Sequence, residues 1–255
     1  YETLRYFAGE TPTADFDNGT MAQDAALGLG VAAWSDPYTT YPECAKPFML
    51  VLSDINPTFD SDQLPGSPFG SFSGGLGTLD VQARASTISS TDHISGNYYL
   101  GDQGGVSDSA CTPKYVSGIS DIRGLCPEEP TKQGSYYSAS VAYYGRTEDI
   151  SATATEDQNV QSYMVGLASP LPRIEIPIGS STVTLVPFAK SVGGFGINPA
   201  LGAFQPTNTI VDFYVETIDA DNPTYGKFRI NYEDVEQGAD HDMDAIVAYT
   251  YQVYD

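Results

Sequence analysis

Residues 48–52 read FMLVL, an unbroken apolar run that ends on Ser53-Asp54 and enters an Asn-Pro turn, with further aspartates at 60 and 62. So short and continuous a run is the pattern of a strand covered on both faces, as in parallel sheets. It constrains the fold because a parallel strand needs a crossover to reach its partner. The sequence supplies one. In residues 134–145, GSYYSASVAYYG, the +4 and +3 spacing of Tyr137, Val141 and Tyr144 predicts a helix, ended by Gly145 and the charged RTED. After a polar linker, SYMVGLASPL predicts a second apolar strand. The whole is a β-(loop)-α-β unit with Asp54 at the C-terminal end of its first strand, where open α/β sheets bind ligands.

Between these strands, residues 55–133 are dominated by Gly, Ser, Pro and Asp, with strand signals only near Val81 and Tyr98–Leu100. They read as an elaborated loop region, inserted at the strand's C-terminal end and suited to recognition. From residue 172 the apolar period changes to two. Ile174, Ile176 and Ile178 alternate with Glu175 and Pro177, GSS turns the chain, and Thr182–Phe188 completes a hairpin. Three further alternating runs carry Val211, Phe213 and Val215, then Phe228, Ile230 and Tyr232, then Val247, Tyr249, Tyr251 and Val253. The last third is therefore expected to be antiparallel β.

Two more helices are expected. YETLRYFAG at the start puts Leu4, Phe7 and Ala8 on one face with Arg5 opposite, and Gly9 is placed to terminate it. No N-cap residue stands ahead of Tyr1, so the segment reads as the end of a helix that begins upstream. MAQDAALGLGVAAW, 21–34, follows the N-cap candidate Thr20 but carries Gly28 and Gly30, which make any helix there fragile.

Charge narrows the partners. Lys and Arg total 11 against 33 acidic residues, a net charge of −22. Phosphate backbones and anionic membrane surfaces both attract Lys and Arg, so neither nucleic acid nor such a membrane is an expected partner, whereas cations are. The longest apolar runs fall far short of the roughly 20 residues of a membrane span. With 18 Tyr, 25 Gly and 17 Pro, the composition suits an extracellular β-rich protein. Of the three cysteines, Cys111 and Cys126 bracket a short loop and could close it, which leaves Cys44 without a partner in the chain. The triplet NGT at 18–20 is a glycosylation sequon.

Catalytic motifs fail on inspection. GDQGG at 101–105 resembles a serine-protease box, but Gln103 occupies the nucleophile position and an amide cannot attack a carbonyl. The cysteines and the two histidines, His93 and His241, lack zinc spacing, and no phosphate-binding glycine loop with its Lys is present. No enzyme is expected. Hard divalent ions such as Mg²⁺ or Ca²⁺ take carboxylate oxygens. Asp54, Asp60 and Asp62 form one candidate ligand set, and Asp240, Asp242 and Asp244 in YEDVEQGADHDMD a second. The competing reading makes Asp54 an Asx cap and the others solvated turn residues.

Aliphatic strand, Ser-Asp and NPTFDSDQLPG together resemble the fourth core strand of a von Willebrand A-type domain, and more narrowly that region in the PilY/PilC family of type IV pilus-tip proteins. LRYFAG, CPEEPTKQGSYYSASVAYYGRTEDI, YMVGLASPLPRIEIP, VTLVPFAKSVGG, AFQPTNTIVDFYV and INYEDVEQGADHDMDAIVAY are similar to the same family in the same order. The resemblance implies a partial A-like, Rossmann-type α/β domain over 1–171, with inserted loops at 55–133, followed by an antiparallel β-rich region over 172–255. It implies a non-enzymatic extracellular component of the fimbrium, acting at the fibre tip in adhesion and pilus assembly. Expected partners are pilin or minor pilins, a host or abiotic surface, and the rest of its own polypeptide. A-type domains hold one divalent ion through an Asp-x-Ser-x-Ser turn, a Thr and the Asp ending the fourth strand. Only the last maps here, onto Asp54. DISAT at 149–153 approximates the turn but follows a helix. The alternative expectation is a structural subunit of a filament or surface layer whose edge strands pair with neighbours and which binds no ligand.

Overall fold

The computed structural model describes residues 1–13, 26–28, 34–40, 46–53, 55, 57–72, 74–126, 130–166, 173–187, 208–219, 224–234 and 245–254. The helix expected over 21–34, the sequon and Cys44 lie outside these residues, apart from 26–28 and Trp34.

Helix α1, Glu2–Phe7, opens the chain. It ends in a Schellman motif: Gly9 adopts φ 74°, its N–H reaches Tyr6 O at 3.1 Å, and Glu10 N–H reaches Arg5 O at 3.0 Å. Leu4 is fully buried as expected, but Arg5 is not turned away to solvent. Its guanidinium is buried and donates to the carbonyls of Thr11, Gly74 and Gly75 at 2.7 to 3.0 Å, tying two loop segments to the helix. Helix periodicity alone gave Arg5 the outer face; backbone acceptors brought in by distant loops keep it inside.

After the short helix α2, Pro37–Thr40, strand β1, Phe48–Ser53, pairs in parallel with strand β5, Gln161–Gly166. Helix α4, Tyr137–Thr147, forms the crossover, so the β-(loop)-α-β unit stands. Gly145 does not end α4. It sits inside the last turn, where a Cβ would lie 3.0 Å from Leu4 Cδ2, so the glycine lets α1 and α4 approach.

The region 55–133 is not a loop excursion. It holds helix α3, Val81–Thr91, and a three-stranded antiparallel sheet of β2, Gly96–Gln103, β3, Val106–Val116, and β4, Ile122–Leu125, in the order β3-β2-β4. The segment near Val81 that signalled a strand is this helix. Its sequence, VQARASTISST, is rich in Ser and Thr, which are poor helix formers because their hydroxyls compete for backbone. Here those hydroxyls are turned inward on the helix: Thr87, Ser89 and Thr91 donate to carbonyls four residues back at 2.6 to 3.1 Å. Asp80 caps the start by accepting from Ala83 N–H at 2.8 Å, and Val81, Ala85 and Ser89 bury one face. GDQGG proves to be the β2–β3 hairpin turn, with Gly104 at φ 59° and Gly105 at φ 79°. The Cys111–Cys126 disulfide joins β3 to the end of β4 across the middle strand.

One core unites these parts. Leu4, Val81, Leu100, Val116, Ile122, Tyr137 and Val160 are fully buried in it. The C-terminal part buries further residues outside that cluster. The hairpin β6, Ile174–Ile178, and β7, Ser181–Leu185, contributes Ile176. A three-stranded antiparallel sheet of β8, Asn208–Ile218, β9, Tyr225–Asp234, and β10, Ala245–Gln252, contributes Phe228 and Ile230. Its order is β10-β9-β8, leaving β8 and β10 at the edges. By register Phe213 and Val215 of the first alternating run share one face with Phe228, Ile230 and Tyr232 and with Val247, Tyr249 and Tyr251, Phe228 lying opposite Val215 and Tyr249, while Val211 falls at a register shift between Ile210 and Asp212.

The expectation that fails most plainly concerns β1. It is not covered on both faces. Phe48, Leu50 and Leu52 are 59, 63 and 63% exposed, and the parallel register puts Tyr163 and Val165 of β5 on the same face at 49 and 43%. Met49, on the opposite face, packs on the core. On that second face Val51 and its partner Met164 are nonetheless 37 and 60% exposed, so the two-stranded parallel sheet lacks the cover that such strands normally have.

Candidate functional site

The six candidate metal ligands divide into two groups. Asp54, immediately after β1, and Asp240, Asp242 and Asp244 lie outside the described residues. Asp60 and Asp62 lie in the turn that leads from β1 to α3. Asp60 is half-buried, and its carboxylate accepts from Ser135 N–H at 2.7 Å, just ahead of α4. Burial raises its pKa above the ordinary value, and the Ser135 hydrogen bond only partly offsets this. Nearby, a Cβ on Gly134 would collide with the Pro57 carbonyl, and Phe59 N–H bonds to Lys132 O at 2.7 Å. Asp60 thus belongs to a seam that fastens residues 57–61 to 132–135. Among the described residues no three His, Cys, Asp or Glu side chains converge to hold an ion, so these residues do not by themselves fit Mg²⁺ or Ca²⁺.

The DISAT loop is closed on itself. Asp149 Oδ1 accepts from Ser151 N–H at 3.1 Å and Gln158 N–H at 3.0 Å, and Ser151 Oγ accepts from Ala154 N–H at 3.0 Å. Thr153 Oγ1 donates to Asp36 Oδ2 at 3.0 Å, which anchors the loop beside α2. Asp102 of GDQGG is buried and pairs with Arg123 of β4 at 2.9 Å. Arg123 also lies 4.4 Å over the Phe69 ring and reaches Gln133 Oε1 at 3.1 Å. This is an architectural ion pair at the hairpin's base.

Concave surface occurs elsewhere, in a cleft between β2 and the C-terminal strands. One lobe, of about 380 Å³, is lined by Ser95, Asn97, Tyr98, Tyr99, Tyr136 and Arg173. The other, of about 490 Å³, is lined by Tyr99, Thr184, Phe228, Tyr232, Tyr249 and Tyr251. Tyr99 and Val186 belong to both lobes, which makes the cleft continuous. Its aromatic wall is ordered by the sheet. Phe228 and Tyr249, cross-strand partners, stack with centroids 5.1 Å apart and planes 18° from parallel. Tyr251 lies flat against Gly226, where a Cβ would meet the ring at 2.5 Å. The Tyr232 and Tyr249 hydroxyls hydrogen-bond at 2.9 Å, and burial together with that bond pushes the Tyr232 pKa up. The sequence signalled these tyrosines only as the inner face of strands. Nothing in their spacing announced that Tyr99, far away in the chain, would join them.

Comparison with known proteins covers both parts of the chain. A family model described as PilY1 homolog, second domain, matches residues 1–145, and one described as PilY1 homolog, beta-sandwich, matches residues 176–255. The chain is 48% identical over 283 aligned residues to the type IV pilus biogenesis factor PilY1 homolog of Xylella fastidiosa, covering 99% of this chain and 19% of that protein. It therefore spans about a fifth of that relative's length. No solved structure matches. With one model matching the larger part, another the sheet of β8 to β10, and a relative aligned almost end to end, the chain belongs to the PilY1 homolog family.

Proposed function

We propose that the chain is a non-enzymatic module of an extracellular pilus-tip protein, contributing to adhesion as well as to pilus assembly. The observation that carries this reading is the alignment of nearly the whole chain with a type IV pilus biogenesis factor. Its partners on this reading are pilin or minor pilins, a host or abiotic surface, and the rest of its own polypeptide. Among the described residues no helix is long and apolar enough to cross a membrane.

The reading includes a fold assignment. The parallel β1–β5 pair, joined through α4 and bare on its Phe48–Leu50–Leu52 face, is consistent with two strands of a larger A-type sheet. That sheet would draw further strands and covering helices from sequence beyond these residues, with a domain boundary near 171. Asp54 would then add one carboxylate to a Mg²⁺ or Ca²⁺ site completed by donors from that sequence. Calcium and magnesium titrations of the intact polypeptide with Asp54→Ala test the metal. An unchanged affinity and melting temperature would remove it.

Excising residues 1–255 from the intact polypeptide in a piliated cell separates the two roles. Fewer pili, with attachment lost by those that remain, is the expected outcome. Pili lost altogether favours a purely structural subunit, for which β8 and β10, at the edges of their sheet among the described residues, are the specific support. Pili and attachment both retained would refute both readings. A smaller deletion of 67–125 cannot serve, because it removes α3 and the β2–β4 sheet from the core.

A further inference from the structure

We propose that the tyrosine-lined cleft between β2 and the β8–β10 sheet is a binding site for a neutral glycan. The inference deepens the adhesive reading, on which its biological use rests, and its test reads binding alone.

The size of each lobe, about 380 and 490 Å³, is that of a small-ligand site. The lining decides the ligand class. Tyr99 borders both lobes, and Tyr232, Tyr249 and Tyr251, which share one face of their sheet, line the second, so the wall carries flat rings with a hydroxyl at the tip; Tyr98, its neighbour on β2, and Tyr136 also pack on the core. A pyranose is the matching shape: one face is a patch of C–H bonds that lies on an aromatic ring, and its rim is a ring of hydroxyls. Asn97, Ser95 and Thr184 add amide and hydroxyl groups at intervals along the walls. The rings are also preset, Tyr249 by stacking on Phe228 and Tyr251 by its seat on Gly226, so little ordering remains for binding.

Other ligands fit less well. A net charge of −22 opposes anions such as nucleotides or acidic glycans, and Arg173, the basic residue of the lining, is already paired with Glu175. A lipid tail would bury the polar groups of Ser95, Asn97 and Thr184 against hydrocarbon. An extended peptide gains most from an open strand edge; β3 pairs along the cleft-lining part of β2, whereas β4 pairs only from Leu100 onward, so decaproline is included in the test as the peptide competitor.

Isothermal titration of the whole chain with maltohexaose, cellohexaose, chitohexaose and decaproline tests the proposal. At least one hexasaccharide is expected to bind with Kd of about 1 mM or tighter. Tyr99→Ala should weaken it about tenfold, the scale of one lost aromatic contact. Tyr232→Phe, which keeps the ring and the strand, should weaken it several-fold with an unchanged circular dichroism spectrum. Failure of all three sugars to bind, binding of decaproline in their place, or sugar binding indifferent to both substitutions would overturn the assignment. None of those results touches the excision experiment, so the adhesive reading stands or falls separately.

Discussion

Replacing Cys111 and Cys126 together by serine removes the covalent link across β2 while leaving the strand pairings themselves intact. The bond closes a loop with a sequence separation of 15 residues. In the chain-entropy account such a loop restricts the unfolded ensemble by about 10 cal/mol/K, or about 3 kcal/mol at room temperature. Both sulfur positions are half-buried, so two hydroxyls there add little desolvation cost. For a unit of this size each kcal/mol moves the melting temperature by about 2–4 °C, so a fall of about 6–12 °C is expected. The assay is thermal unfolding followed by far-ultraviolet circular dichroism, with the parent measured oxidised and after reduction. Reduction should reproduce the double variant, and hydrogen exchange should speed up first in β3, the strand held by one neighbour and the bond. A double variant that melts within about 2 °C of the oxidised parent would refute the reasoning. So would peptide mapping without reduction that fails to recover the cross-linked pair.

Three further perturbations test other parts of the framework. Gly145→Ala puts a methyl 3.0 Å from Leu4 Cδ2 and should cost about 1–3 kcal/mol in urea unfolding; Leu4→Ala in the same background should recover part of it. Arg123→Ala leaves the Asp102 carboxylate buried without its partner and should cost about 3–5 kcal/mol, more than the Asp102→Asn, Arg123→Met pair together. Asp60 holds its proton more tightly folded than unfolded, because burial raises its pKa above 3.8. Stability should therefore fall as pH rises from about 4 through the folded value, and Asp60→Asn should flatten that part of the profile while keeping an acceptor for Ser135 N–H. Identical pH profiles for parent and variant would refute the last.

What the sequence made legible was whatever had a period or a fixed local chemistry. FMLVL, the Tyr137–Val141–Tyr144 spacing and the alternating runs after 172 all became the expected elements, because apolar period reports element type, although FMLVL did not gain the cover on both faces that it signalled. Helix α3 was illegible for a physical reason. Its Ser and Thr hydroxyls satisfy the helix's own carbonyls, an arrangement that composition reads as loop. The buried Arg5 and the Gly145 contact were hidden likewise, since their partners at 74–75 and at Leu4 lie far along the chain. For the candidate site the acidic clusters drew attention because carboxylates are conspicuous in a sequence, yet Asp60 went to a backbone N–H. The cleft needed Tyr99 and Tyr249 to meet, and no local pattern encodes a meeting of two sheets.

The pairing of β1 with β5 also sets a timetable. Phe48 must wait for Gln161 to be synthesised, and at about 5–20 residues per second the delay is roughly 5–25 s. During that interval α3, the β2–β3 hairpin and β4 emerge complete, each built from neighbours in sequence. They offer a finished platform before the nascent FMLVL has a companion. FMLVL thus stays unpaired while the segments between it and β5 assemble, and a holdase or translocon that shelters it through those seconds would act on an exposed apolar strand.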